Sequence, residues 1–176
     1  MSTIQSASFI IKTSRLDLRE LEFGDAAFIL ELLNEAGFIR FIGDKGVRTL
    51  AEARDYIHQG PMESYRHNGF GLYAACLGDG TPIGICGLVK REGLNAPDVG
   101  FAFLSRYWSS GYAVESAAAV LAHARDTLRI KRVVAITSPN NWSSIAVLEK
   151  IGMKFERIIR LVDDSPELKL FGLANN

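Results

Sequence analysis

The segment from Val99 to Leu128 constrains the fold of this 176-residue chain more than any other part of the sequence. It opens with the strand-like run "VGFAFL", and the helical pattern "YAVESAAAVLAHARDTL" follows after a short loop. Apolar residues of the helical pattern recur at spacings that place them on one face. That face consists of Val114, Ala117, Ala118, Leu121, Ala124 and Leu128. A helix with such a face must lie on a sheet, so the segment predicts a strand, a loop and a packed helix.

The loop between this strand and this helix, inside "LSRYWSSGYAVES", contains two aromatic residues, two serines and Gly111. A loop of this kind can be a plain connection. It can also present backbone N–H groups to an anion at the N-terminus of the following helix. Taken alone, the loop leaves both interpretations open.

The N-terminal half of the chain combines one strand with helices. Alternating apolar residues in "FIIKTSRLDLREL", residues 9–21, predict one half-buried strand. A short helix in "GDAAFILELLNEAG" and an apolar connector, "FIRFIG", follow. Thr49 and Glu52 have the spacing of a capping box and open another helix. We expect Gly60-Pro61 to break that helix before a second piece that ends near Gly69.

The C-terminal half is richer in strands. "FGLYAACLG" and "TPIGICGLVKRE" predict a hairpin around Asp79-Gly80. The run "KRVVAITS" is nearly all apolar, which is typical of a strand buried on both faces. A helix in "SIAVLEKIG" closes at Gly152, and a last hairpin ends the pattern. The order predicts a mixed α/β domain whose central, mostly antiparallel sheet has about seven strands and about four flanking helices.

Charge and cysteine usage exclude several classes of protein. Lys plus Arg and Asp plus Glu both number 20, and this balance argues against nucleic acid or a membrane surface as the partner. Cys76 and Cys86 would lie out of register in their hairpin, so we expect free thiols, which fit a cytoplasmic protein. The chain shows no membrane span or signal peptide. Its three histidines share no ligand spacing, so no metal is expected.

Two segments carry a family resemblance. "RYWSSGYAVESAAAVL" resembles the acyl-CoA-binding loop and helix of the GNAT-type N-acetyltransferases, above all the RimJ/RimL-type branch of protein N-terminal acetyltransferases. "NWSSIAVLEKIGMKFE" is similar to that branch's N-x-x-S-x-x-V-L-E-K-x-G-F segment, and "RLDLREL" to its opening strand. The resemblance runs from about residue 13 to 170, and implies a single GNAT-like domain over residues 1–176.

The resemblance implies acetyl-CoA as co-substrate and assigns the loop to its pyrophosphate. Backbone N–H groups around Gly111 suit such an anion at the positive end of a helix. Where the branch has the first glycine of W-G-x-G-Y-A, this chain has Ser109, which must adopt a conformation open to non-glycine residues. The implied cofactor site comprises Phe103, Leu104, Trp108, Ser109, Ser110, Gly111, Tyr112, Ala113 and Asn141. Trp108 and Tyr112 are expected there as packing residues. The resemblance implies that the backbone of Phe103 and Leu104 pairs with the pantetheine arm of the cofactor. It also implies that Asn141 forms a hydrogen bond with the arm from the other side.

The implied reaction is direct attack of an amine on the thioester, and it needs a base and a proton donor. By family match, Ser144 protonates the leaving thiolate; the alternative is a helix-capping hydroxyl, a role also open to Ser143. Asp98 is a candidate base or water-mediated proton relay, or else a solvated carboxylate at a strand end. Glu115 matches a family glutamate, but its place in the first helical turn is better explained by the helix dipole.

The acceptor stays open at this point. By resemblance, the segment from Phe38 to Gly43, the helix around Pro61 and the strand carrying Tyr73 surround the amine. No carboxylate cluster appears between Phe38 and Ile42, so a protein N-terminus or a small amino compound suits better than a polycation. A homodimer is possible. A different class of function is a CoA-binding sensor or interaction module that has lost turnover.

Overall fold

The computed structural model describes residues 8–173, which build one sheet with helices on both faces. The strands are β1 (Phe9–Lys12), β2 (Leu16–Glu20), β3 (Leu72–Leu77), β4 (Pro82–Val89), β5 (Asp98–Phe103), β6 (Val134–Thr137), β7 (Met153–Ile159) and β8 (Leu168–Leu173). The α-helices are α1 (Ala26–Leu33), α2 (Ala36–Phe41), α3 (Leu50–Ile57), α4 (Glu63–Asn68), α5 (Tyr112–Asp126) and α6 (Trp142–Lys150). The mixed α/β fold predicted from the sequence is confirmed.

The sheet order is β1-β2-β3-β4-β5-β6-β8-β7, and one junction in it differs from all others. Six neighbouring pairs are antiparallel, whereas β5 and β6 are parallel. These two strands pair only between Asp98 and Val134. Beyond that bridge they diverge, so residues 99–103 of β5 have no strand partner on the β6 side. We call the gap between residues 99–103 and 135–138 the notch.

The two faces of the sheet carry separate apolar clusters. One lies under α5 and α6 and includes Val99 and Phe103 of β5, Ala135 of β6 and Phe171 of β8. It therefore draws residues from both sides of the notch into one core. The other lies under α1 and α3 on the opposite face. Packing of α5 and α6 across the gap thus replaces the missing strand pairing.

Several elements differ from the sequence-based expectations. The run read as one strand is the hairpin β1–β2, which turns at residues 13–15 and raises the strand count to eight. The expected connector "FIRFIG" lies in α2 and the residues that follow it. Gly60-Pro61 does not break the helix, because a π-helical turn, His58–Met62, carries the chain from α3 into α4. Proline lacks an N–H, and the wider turn tolerates that loss.

The long helix α5 is rotated slightly from its predicted orientation. Ala118 is exposed, whereas Ser116 is fully buried against the sheet. The hydroxyl of Ser116 donates to the carbonyl of Tyr112 at 2.8 Å, so its burial leaves no unpaired polar group. Cys76 and Cys86 are free and buried, as expected, and burial raises the pKa of the Cys86 thiol to about 12. Within residues 8–173, no helix has the length and apolarity to span a membrane.

The β1–β2 turn is tied to α5 by a single carboxylate. Glu115 accepts hydrogen bonds from the hydroxyls of Thr13 at 2.7 Å and Ser14 at 3.2 Å. The backbone N–H and the Nε of Arg15 also donate to it, at 2.9 and 2.7 Å. Burial opposes ionisation of Glu115, but the bonds from Thr13 and Arg15 outweigh it and lower its pKa. Glu115 therefore anchors the turn, a role that the helix dipole alone does not describe.

We expect Glu115→Gln, which keeps the shape and removes the charge, to lower the free energy of unfolding at pH 7 by about 1–3 kcal/mol. Because the pKa is lowered in the folded state, this stabilisation is present above the ordinary value of 4.5 and is lost as the pH falls below it. Urea denaturation of both proteins between pH 7 and 3 measures the difference. The exposed Glu149→Gln serves as control, and a difference independent of pH would contradict the assignment.

Candidate active site

The N-terminus of α5 is open to an anion. Gly111, at φ +83°, precedes the helix, and no side chain caps the free N–H groups of the first turn. At 15 residues, α5 presents the positive end of its dipole at this point. The loop from Ser109 to Ala113 therefore has a backbone geometry that suits an anion, and we call it the anion cradle.

Ser109 and Gly111 both have a left-handed backbone conformation, but the two positions differ in the residue types that they allow. Ser109 has φ +59°, which lies within the small left-handed region open to non-glycine residues. Gly111, at φ +83°, lies outside that region, and an added Cβ would also come within 3.2 Å of Nη2 of Arg15. Ser109 thus meets the condition set for it by the sequence, whereas the loop depends sterically on Gly111.

Arg15 brings a positive charge to the same loop. Its Nη1 donates to the carbonyl of Ser110 at 2.9 Å, and its guanidinium lies 4.4 Å from the centre of the Tyr112 ring. Sequence reasoning missed this residue, because the run that contains it was read as an unbroken strand. The Thr13-Ser14-Arg15 turn was the available signal, since three consecutive polar residues interrupt the alternation there.

The β5 wall of the notch offers unpaired peptide groups. Leu104 is not among them, because its N–H donates to Ile83 at 3.0 Å and its carbonyl accepts from Tyr107 at 2.9 Å. In an antiparallel pair the direction of the peptide groups alternates, so those of Phe101 and Phe103 point away from β4 and into the notch. The Phe103 carbonyl accepts from Nε1 of Trp108 at 2.7 Å. The register therefore leaves the peptide groups of Phe101 and the N–H of Phe103, and not those of Leu104, facing the notch without a strand partner.

Asn141 and Ser144 lie beyond the other wall, where β6 leads into α6. Asn141 Oδ1 accepts from the backbone N–H of Ser144 at 3.2 Å and caps the helix. The capping role considered for the hydroxyls of Ser143 and Ser144 is thereby taken by Asn141. Ser144 is half-buried. Its hydroxyl belongs to the first turn of α6, next to the end of β6.

Asp98 lies at the base of the notch and is only 2% exposed, so it is not the solvated strand-end carboxylate considered as an alternative. Both of its oxygens accept from Nε of Arg91, at 3.0 and 3.2 Å. Burial raises the pKa of Asp98 above its ordinary value, and Arg91 opposes that effect. Asp98 shares a sheet face with Ala102, which packs on the α1–α3 cluster. The carboxylate therefore faces the side opposite α5.

Helix α2 crosses the far end of the notch. An added Cβ on Gly37 would meet Cη2 of Trp108 at 2.6 Å, so the helix packs directly on the loop after β5. The carbonyl of Phe41 lies 3.5 Å from the hydroxyl of Ser138, which follows β6. Tyr73, expected near the amine, is instead 3% exposed and stacks on Tyr65 at 5.6 Å. Helix α2, one of the segments expected around the amine, therefore contacts residues that follow β5 and β6 on both sides of the notch.

These features define a class of protein. An uncapped helix N-terminus suits a phosphate group, and an adjoining gap in the sheet with unpaired peptide groups suits an extended amide-bearing chain. The anion cradle lies at the α5 face of the sheet beside this gap, and the buried carboxylate of Asp98 lies on the opposite face at its base. A site of this kind fits a long anionic carrier such as coenzyme A on one face and a second reactant on the other.

Comparisons with known proteins agree with this class. Residues 15–154 match the family model described as the acetyltransferase (GNAT) domain. The uncharacterised N-acetyltransferase YnaD of Bacillus subtilis (strain 168) is 29% identical over 147 residues, which cover 83% of each chain. A GNAT-family acetyltransferase structure from Bacillus anthracis has a TM-score of 0.78 at 25% identity and covers 96% of this chain and 99% of its own.

A further solved structure carries the cofactor. RimL, a ribosomal alpha-N-protein acetyltransferase in complex with coenzyme A, has a TM-score of 0.80 at 17% identity and covers 94% of this chain and 97% of its own. The match to the family model spans most of the sequence. The chain belongs to the GNAT acetyltransferase family, whose members are acetyl-CoA-dependent N-acetyltransferases.

We expect Gly111→Val to weaken acetyl-CoA binding at least tenfold, because a branched side chain at φ +83° costs about 1–3 kcal/mol and distorts the cradle. Ser110→Ala is the matched control and should change the affinity less than threefold, since the cradle uses backbone N–H groups. Isothermal titration calorimetry with acetyl-CoA measures both. Equal losses in the two variants would show that side chains, not the backbone, hold the anion.

Proposed function

We propose that this protein transfers the acetyl group of acetyl-CoA to a primary amine, either a protein or peptide N-terminus or a small amino compound, by direct attack on the thioester. The observation that carries the proposal is the notch. It lies between an anion cradle on the α5 face and a buried carboxylate on the opposite face. A reaction between a carrier and an acceptor that approach from opposite faces needs such a passage.

The residues that would hold the cofactor fit it chemically. Backbone N–H groups between Ser109 and Ala113 would bind the pyrophosphate. The guanidinium of Arg15 lies beside them, with its charge partly balanced by the ion pair with Glu115. The peptide groups of Phe101 and the N–H of Phe103 would pair with the amides of the pantetheine arm as an added strand does. With Oδ1 of Asn141 engaged in the cap, its amide nitrogen is the group that would donate from the other wall. Acetyl-CoA supplies the activated acyl group, so no protein nucleophile is required.

The acceptor amine must be neutral to attack. An alkyl ammonium group has a pKa near that of lysine, about 10.4, and therefore has to lose a proton in the site. Asp98 is the candidate that receives it, directly or through water, because it is buried on the acceptor face. Arg91 keeps the carboxylate oriented through bonds to both oxygens.

The departing thiolate must gain a proton. Ser144 is the candidate donor, since its hydroxyl is not the capping group of α6 and lies in the first turn after β6. A thiol has an ordinary pKa of about 8.5, so partial proton donation from a hydroxyl in the transition state assists its departure.

Two measurements test the proposal together. Calorimetry first determines whether acetyl-CoA binds, and release of free thiol is then followed over a panel of N-terminal peptides and small amines. We expect binding together with acceptor-dependent thiol release. Binding with no release for any acceptor would favour the CoA-binding module without turnover, and a failure to bind would overturn both.

For Ser144, we expect Ser144→Ala to lower kcat by about 10²-fold, the lower end of the range for a positioned proton donor, and to leave the Michaelis constant for acetyl-CoA nearly unchanged. The neighbouring, exposed Ser143→Ala is the matched control and should retain wild-type kcat. Steady-state kinetics with the best acceptor of the panel measures both. A kcat equal to that of wild type in Ser144→Ala would discard the donor role.

For Asp98, we expect Asp98→Asn to lower kcat by about 10²-fold while the affinity for acetyl-CoA stays within twofold. Because the substitution leaves the Arg91 charge without its counter-ion, the melting temperature should also fall. Rates are therefore measured well below the melting temperature of the variant, after circular dichroism confirms the fold. A folded variant with wild-type kcat would reduce the ion pair to a structural role.

A further inference from the structure

A cavity of about 290 Å³ lies on the same sheet face as Asp98. Its floor includes Val134 of β6 and Leu170 of β8, and residues 93–96 of the loop between β4 and β5 form one wall. Three arginines line it: Arg132, Arg157 and Arg160. No acidic residue is among its lining residues within the described part of the chain. The charged side chains of the lining are thus all positive, although the protein has no formal net charge.

The fold gives Arg157 its direction through an irregularity in β7. The register between β7 and β8 shifts after Phe155, so Phe155 lies opposite Phe171 and Arg157 opposite Leu170. Phe171 belongs to the cluster under α5 and α6, whereas Arg157 is brought to the other face. A β-bulge of this kind re-aims one side chain without breaking the strand. Without the bulge, the alternation along β7 would place residue 157 on the same face as Phe155.

The opposite wall is held in place by close backbone packing. Gly93 has φ +85°, and a Cβ at this position would lie 2.6 Å from the carbonyl oxygen of Leu161. Only glycine permits both the conformation and the contact. The loop between β4 and β5 is therefore pressed against the end of the β7–β8 hairpin, and the cavity has a defined shape.

The three guanidinium groups are not equally engaged. Arg132 forms an ion pair with Glu156 at 2.7 Å, and Arg160 pairs with Glu167 at 3.2 Å while donating to the carbonyl of Ser165. Within residues 8–173, no carboxylate forms an ion pair with Arg157. Glu156, the neighbour of Arg157, is bound to Arg132 and interacts with Arg157 only through the longer-range field. An anion that enters the cavity would therefore meet one guanidinium that is not already in an ion pair.

The cavity adjoins the notch. Val134, in its floor, is the residue that pairs with Asp98 at the base of the notch. Arg157 lies opposite Leu170 of β8, and Leu170 lies opposite Ile136 in the wall of the notch. Two strand spacings of about 4.8 Å, roughly 10 Å in all, therefore separate Arg157 from the notch. A group bound in the cavity and an amine in the notch would therefore belong to one acceptor molecule of modest length.

We propose that the arginine-lined cavity is an anion subsite for the acceptor, so that the preferred substrates are amines with a carboxylate or phosphate roughly 10 Å from the reacting nitrogen. This inference rests on the proposed function, since it assigns the acceptor class of the same site. In an extended peptide, an acidic side chain at the second or third position lies at this distance from the terminal amine.

The test compares acetylation of four amidated tetrapeptides that begin with serine and differ at the third residue: alanine, aspartate, phosphoserine or lysine. We expect kcat/KM for the aspartate or phosphoserine peptide to exceed that for the alanine peptide by roughly tenfold, as a charge-assisted hydrogen bond permits. The comparison of the aspartate peptide with the phosphoserine peptide distinguishes a carboxylate from a phosphate ligand. The lysine peptide should be the poorest acceptor.

Arg157→Ala should abolish the acidic preference while leaving kcat/KM for the alanine peptide and the affinity for acetyl-CoA unchanged. Arg157→Glu should make the lysine peptide the better substrate. Arg125→Ala, which removes an exposed arginine of α5, is the matched control and should keep the preference. Equal rates for all four peptides in the wild type would overturn the anion subsite alone. Acetyl-CoA binding without transfer to any acceptor, including the peptides and small amines above, would overturn the proposed function and the subsite with it.

Discussion

The single bridge between Asp98 and Val134 is the constraint on which the rest of this structure depends. Two parallel strands that pair once and then diverge leave a row of peptide groups unpaired inside a sheet, where satisfaction of backbone groups is otherwise nearly complete. A sheet split in this way needs another source of cohesion. The cluster under α5 and α6 supplies it, because Phe103, Ala135 and Phe171 come from both sides of the gap. The fold thus gives up hydrogen bonds at one place, and apolar packing across the gap holds the two halves together.

The same layer of helices fixes the anion cradle. Helix α5 begins at the end of the notch, and Glu115 in its first turn ties it to the β1–β2 hairpin through Thr13, Ser14 and Arg15. Arg15 then reaches back to the carbonyl of Ser110 in the loop. Loop, helix and hairpin are therefore one connected unit, although they come from distant parts of the chain. A preformed cradle binds an anion without the entropy loss of ordering a loop.

The sequence predicts the cradle well and its surroundings less well. Gly111 and the helical pattern after it are local signals, since φ and helix periodicity depend on near neighbours. The β1–β2 hairpin was hidden because Ile11, Leu16 and Leu18 sustain the alternation of a strand on either side of a short turn. The burial of Asp98 could not be read from the chain either. It depends on Arg91 and on a strand that is distant in sequence, so only the assembled sheet reveals it.

The distribution of charge over the folded protein cannot be predicted from the composition. Equal numbers of acidic and basic residues argue against nucleic acid or a membrane surface as the partner, and the lack of carboxylates around Phe38 argues against a polycationic acceptor. Neither observation could show that Arg132, Arg157 and Arg160 converge on one cavity, because the strand, the bulge and the hairpin that carry them meet only in three dimensions. Net charge governs long-range behaviour, whereas recognition within a cavity depends on a few groups freed from water. A balanced sequence is therefore compatible with a charge-selective site, since three arginines line one cavity beside the notch while the whole chain has no formal net charge.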